Sequence, residues 1–143
     1  MFTTELVLQA DAGRDDIWIV RAPLIWCNAE FGRICVPVGF RTDLASIPRA
    51  MRNLPAFDPN GRSRRPAVVH DWLYVTQPCP KDVADRFLRT AMLAEGAPHV
   101  DAEAFYEAVH LFGESAWHTG GAATVAAAFA TQADYMAYVA TQP

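Results

Sequence analysis

A chain of 143 residues suits one domain, long enough to bury about two thirds of the surface its unfolded form exposes, so neither a disulfide nor a metal is needed to fold it. Hydrophobic residues make up 52% and charged residues 20%, values that exclude a disordered or fibrous chain. The net charge of -4 gives no bulk attraction to nucleic acid or anionic lipid, so no nucleic-acid partner is expected. Cys27, Cys35 and Cys79 are odd in number and form no C-x-x-C pair, which points to a reducing compartment and away from structural zinc.

In chain order, the runs from Glu5 to Gln9, Ile17 to Arg21, Leu24 to Cys27 and Arg33 to Val38 are short, rich in Val, Ile and Trp, and separated by turn residues. They predict strands of a small antiparallel sheet, with Pro37 near a strand end where a missing backbone donor costs least. Thr42 to Arg49 reads as a loop running into a short helix, with Ser46 as N-cap and Pro48 in the first turn. Ser63 then caps a helix that holds Pro66 in its first turn and runs to about Gln77. Pro78 and Pro80 force a turn into an amphipathic helix from Lys81 to Glu95, whose apolar stripe is Ala84, Phe87, Leu88 and Ala91. Asp101 is the expected cap of a further helix to about Gly113, with Phe105, Val109 and Phe112 on one face. A looser Ala-rich helix from Ala122 to Ala140 closes the chain. The whole reads as α+β: a single domain over 1–120 and an Ala-rich C-terminal extension over 121–143. The N-terminus lacks a basic region followed by an apolar core, so no secretory signal is expected, and no segment is apolar enough to span a membrane.

Two features carry possible chemistry. Arg41, Arg49, Arg52, Arg62, Arg64 and Arg65 lie close together in sequence, and arginine favours bidentate pairing with carboxylate or phosphate, so this stretch is a candidate contact surface. The alternative is a solvated face with internal ion pairs. The second feature is His70-Asp71-Trp72-Leu73-Tyr74, a pair of adjacent ionisable side chains among apolar neighbours. Helical spacing puts Ala67, His70, Asp71 and Tyr74 on one side. The turn at 77–80 folds the next helix back antiparallel, so Asp85 should face His70 and Asp71, and Asp82 should face Tyr74. A histidine held by a carboxylate on a neighbouring helix suits general-base catalysis. The other reading is a satisfied polar core in which Asp71 pairs with Arg41 or accepts amides from the Thr42 to Ser46 turn, so that Thr42, Asp43, Ser46, Pro48, His70 and Asp71 lock loop to helix.

Gly39 to Pro48, Ala67 to Tyr74, Ala84-Asp85-Arg86-Phe87 and Ala91-Met92 together resemble the family called domain of unknown function 1353, which is common in tailed-phage and prophage genomes. The resemblance covers most of residues 1 to 118, including Phe112-Gly113 and Ala116-Trp117. It implies a phage setting but no activity. H-D-x-x-Y from His70 to Tyr74 also resembles the catalytic helix of phospholipases of the A2 class. On that pattern His70 is the base that activates water, Asp85 is its partner, Tyr74 orients and Asp71 binds calcium. The glycine-rich calcium loop of that class is missing, so Asp43 or Asp58 would have to supply further oxygens to a divalent metal.

The expectation that follows is a structural or accessory protein of the tailed-phage virion, made in the bacterial cytoplasm and docking on other tail or baseplate subunits, itself able to form an oligomer within the assembly. The contacts expected are the Arg41 to Arg65 surface and Phe129, Tyr135 and Tyr138 of the C-terminal segment. The alternative is a hydrolase that uses His70 and Asp85 on host lipid or cell wall, with no cofactor or with a divalent metal.

Overall fold

Short runs of β-branched and aromatic residues pair into two antiparallel sheets in the computed structural model, which describes residues 1–44 and 61–143. Strands β1 (Leu8–Ala10), β2 (Trp18–Val20) and β5 (Arg41–Thr42) form a three-stranded sheet in the order β1-β2-β5. Strands β3 (Leu24–Asn28) and β4 (Gly32–Val36) form a hairpin in which Leu24 lies opposite Val36 and Trp26 opposite Ile34. Alternation then directs Leu24, Trp26 and Val36 into the core, as period-two pairing requires. Strand β5 was not expected from the sequence. It starts after Gly39, whose φ of +91° belongs to the left-handed region and whose missing Cβ leaves room for Asp134.

Four of the five α-helices among the described residues follow. Helix α1 (Arg64–Thr76) ends at Gln77, which adopts a left-handed conformation and donates its N–H to the carbonyl of Leu73. All residues from Pro66 to Tyr74 are buried, so α1 is enclosed on every side, and this places the His-Asp pair inside the molecule. Ser63 precedes α1, but its side chain makes no capping hydrogen bond. Helix α2 (Lys81–Ala94) buries the expected stripe of Ala84, Phe87, Leu88 and Ala91, together with Asp85 and Met92. Helix α3 (His99–Phe112) begins after Pro98, so Asp101 sits in its first turn rather than at its cap. Phe105 and Val109 are buried there, whereas Phe112, at the last position before the chain turns, points outward and is 66% exposed. A short helix α4 (Glu114–His118), unanticipated in the sequence, packs against α1 and α3.

The Ala-rich end is not one helix. Two 3-10 turns, Ala122–Thr124 and Ala126–Ala128, lead to an extended Phe129, and only then does α5 (Gln132–Ala140) begin, capped by Thr131, whose hydroxyl accepts from the N–H of Asp134. Alanine favours helix, but the burial of one large ring overrides that preference. Phe129 is buried, bridges to Phe40, and lies 6.1 Å from the Trp72 ring and 5.3 Å from that of Tyr138. The C-terminal segment therefore shares the core formed by the strands, α1 and α2. A second apolar cluster of Ala67, Leu88, Met92, Ala102, Phe105 and Val109 joins α1, α2 and α3.

Phe129→Ala should cost about 3–5 kcal/mol, the usual range for a buried phenylalanine. Denaturant unfolding measures this. A loss below about 1 kcal/mol would mean that the segment rests on the core without stabilising it.

Candidate functional site

A buried carboxylate, Asp85, is the centre of the site. Helical spacing on α1 puts His70 and Tyr74 one turn apart, and the tight connection from Gln77 to Pro80 returns α2 alongside them. Asp85 Oδ1 accepts hydrogen bonds from His70 Nε2 at 3.0 Å and from the Tyr74 hydroxyl at 2.6 Å. Its other oxygen, Oδ2, accepts from Lys81 Nζ at 2.7 Å, one turn earlier on α2. Lys81 also donates to the carbonyls of Val109 at 2.9 Å and His110 at 3.2 Å, at the C-terminal end of α3. The expected pairing of His70 with Asp85 is thus present. That of Tyr74 with Asp82 is not: Asp82 is exposed, because on a helix that presents positions 81 and 85 to α1 the next residue is rotated away.

The surroundings are tight. The Trp117 ring stands edge-on to Tyr74 with centroids 5.1 Å apart. A Cβ at Gly113 would come within 2.6 Å of the Tyr74 hydroxyl and 2.3 Å of the Val109 carbonyl, so the corner between α3 and α4 requires glycine.

Electrostatics assign the protons. Burial alone would push the Asp85 carboxyl up, but hydrogen bonds from His70, Lys81 and Tyr74 outweigh it and hold the group below its ordinary value. Burial lowers His70 below its ordinary value of 6.5, against the opposing pull of Asp85. Burial, reinforced by the bond to Asp85, raises Tyr74, which stays a protonated donor. An ionised Asp85 can only accept, so in neutral His70 the hydrogen sits on Nε2 and the lone pair on Nδ1. Nδ1 is buried and has no hydrogen-bond partner among the described residues.

Asp71 faces the loop side. The Thr42 hydroxyl donates to Asp71 Oδ2 at 2.5 Å and accepts the N–H of Leu44 at 3.0 Å, so the segment after β5 is stapled to α1 through Thr42. Arg41, weighed as a partner for Asp71, pairs with Asp11 at 3.1 Å. Leu44 has a φ of +64°, a left-handed conformation that costs a non-glycine residue of order 1 kcal/mol or more. Asp71 and Asp43 line one cleft of about 240 Å³ with Arg41, Tyr74, Thr119 and Gly120. Among the described residues no three His, Cys, Asp or Glu side chains form a group able to hold a metal ion. Calcium takes six to eight oxygens, of which Asp43 and Asp71 would supply only part. Ser46, Pro48, Arg49, Arg52 and Asp58 lie outside the described residues.

Among the described residues, those expected to dock a partner also contact this chain itself. Arg65 binds Glu95 through two nitrogens at 2.7 and 3.1 Å, Arg62 donates to the Gly96 carbonyl at 2.7 Å, and Arg64 lies over the Trp18 ring at 5.4 Å. Phe129, Tyr135 and Tyr138 pack against the core. The residue that sequence reasoning passed over is Lys81. The signal was present, because it is the sole lysine beside eleven arginines and stands four positions before Asp85.

These features define an α+β domain with a buried His-Asp-Tyr-Lys network between two antiparallel helices. Residues 18–109, which include the whole network, match the family described as "Protein of unknown function (DUF1353)", and the chain belongs to that family. No curated protein and no solved structure matches it.

The network sets a pH dependence. A histidine whose folded pKa is lowered contributes its full stability above the unfolded value near 6.5, and that contribution is lost as pH falls through the lower folded value. Asp85 acts in the same direction, at pH values below its ordinary 3.8. Chemical denaturation should show stability declining as pH drops below about 6.5, with the decline flattened in His70→Gln. A wild-type profile flat from pH 7 to 5 would contradict a neutral buried His70.

Proposed function

We propose that the chain carries a hydrolytic site in which His70 Nδ1 takes a proton from water. The observation that carries this reading is the asymmetry of the ring: Nε2 is held by Asp85, while Nδ1 is buried with no partner among the described residues. Leaving a buried acceptor unsatisfied costs about 1–3 kcal/mol, and a histidine kept only for packing normally has both nitrogens bonded. A carboxylate at one nitrogen fixes the tautomer and raises the basicity of the other. In the proposed step Nδ1 removes a proton from water as its oxygen attacks an acyl carbon, and the proton then passes to the departing alcohol or amine. Asp85 stays ionised and stabilises the imidazolium formed midway. The Tyr74 hydroxyl keeps its proton and fixes the carboxylate. Substrates of this class are carboxylic esters and amides, which include host lipid and cell-wall peptide.

The test uses p-nitrophenyl acetate as a generic ester. The wild-type protein should turn it over, and His70→Asn should lose about a hundredfold or more of that rate while keeping the fold. Equal rates for the two proteins, or no turnover by the wild type, would refute the reading.

A role in the tailed-phage particle is a second proposal, and it draws support from a different surface. Val100 and Leu111 lie three turns apart on one side of α3 and are 74% and 63% exposed, with Phe112 beside them. If this face docks on a tail or baseplate subunit, Leu111→Ser with Phe112→Ser should abolish incorporation into particles without changing ester turnover. Normal incorporation of that double variant would exclude this face.

A further inference from the structure

We infer that Lys81 is the positioning residue of the site, setting the plane of the Asp85 carboxylate and thereby the orientation of the His70 ring. The inference rests on the hydrolytic reading for its functional meaning and on geometry for its substance. The ammonium has three donors and meets three acceptors: Asp85 Oδ2 at 2.7 Å, the Val109 carbonyl at 2.9 Å and the His110 carbonyl at 3.2 Å. Those two carbonyls belong to the last turn of α3, the negative end of the helix dipole, and the Val109 carbonyl also accepts the N–H of Gly113. Lys81 therefore fits between two negative centres and ties α2 to α3 at the same point. With Oδ2 held in this way, Oδ1 is presented to His70 and Tyr74.

Arginine serves elsewhere in this chain, where a planar fork meets a carboxylate, as Arg65 meets Glu95. At position 81 the acceptors come from two helices, and a compact ammonium with rotatable donors suits them better than a longer planar guanidinium. The α3 end is itself tightly packed, since Gly113 leaves no room for a side chain between Val109 and the Tyr74 hydroxyl. Through Lys81 the position of α3 is transmitted to Asp85, although Lys81 makes no hydrogen bond to the nitrogen proposed to act as base.

Lys81→Arg tests this with the positive charge retained, and Lys81→Met tests it with the charge removed. Two readouts are taken on each: the ¹⁵N pattern of the His70 ring, which reports the tautomer, and kcat and KM for p-nitrophenyl acetate. The wild type should show hydrogen on Nε2 alone. Lys81→Arg should fold, show a mixture of ring forms, and lose about tenfold in kcat with KM unchanged. Lys81→Met should show the larger change in ring pattern wherever it folds. A ring pattern and kcat unchanged in Lys81→Arg would overturn the inference even if the protein is a hydrolase. A changed ring pattern in a protein that never turns over the ester would uphold the positioning role and refute the hydrolytic reading instead.

Discussion

Taking a carboxylate out of water costs several kcal/mol, and Asp85 is fully buried. Everything near it is arranged to offset that penalty. Three side chains donate to it, from His70, Tyr74 and Lys81, and one of the three brings a full positive charge. The arrangement forces the positions of the helices: α1 must present His70 and Tyr74 together, α2 must return at close range, and the end of α3 must lie where Lys81 can reach it. Removing Lys81 would leave the Asp85 charge uncompensated, which in buried pairs costs about 3–5 kcal/mol, so this ion pair constrains the fold alongside the apolar core beside it.

The core is built to serve the same constraint. Helix α1 packs against β4, β5, α2, α4 and the C-terminal segment, so its central polar residues are buried and find partners inside. Asp71 finds Thr42 on the loop side, while His70 and Tyr74 find Asp85 on the helix side. The polar residues of α1 thus divide between a staple, which holds the chain after β5, and a network in which one ring nitrogen is left over. That leftover nitrogen is the feature that packing alone does not explain.

Much of this was legible in the sequence where spacing dictates geometry. The spacing of His70 and Tyr74 fixed a shared helix face, and the two prolines at 78 and 80 marked the turn that sets Asp85 against His70. Asp71, expected on that face opposite Asp85, instead turns to the loop side and binds Thr42, because a residue one position after His70 is rotated about 100° around the helix. The stripe of Ala84, Phe87, Leu88 and Ala91 located the buried side of α2. What was not legible depends on contacts distant in sequence. Phe129 breaks an alanine-rich run because its ring has a place beside Trp72, which no local propensity reveals. The spacing of Lys81 to Asp85 was readable, but its link to α3 appears only once α3 is folded back to supply two carbonyls. The internal partners of Arg65, Arg41 and Arg64 were likewise not legible, because Glu95, Asp11 and Trp18 are remote along the chain.

The central claim is a distribution of protons around one carboxylate, and a neutron crystal structure near neutral pD would display it directly. Deuterium is expected on His70 Nε2, on the Tyr74 hydroxyl and three times on Lys81 Nζ, with none on Asp85 or on His70 Nδ1. Deuterium on Nδ1 or on the Asp85 carboxylate would contradict it.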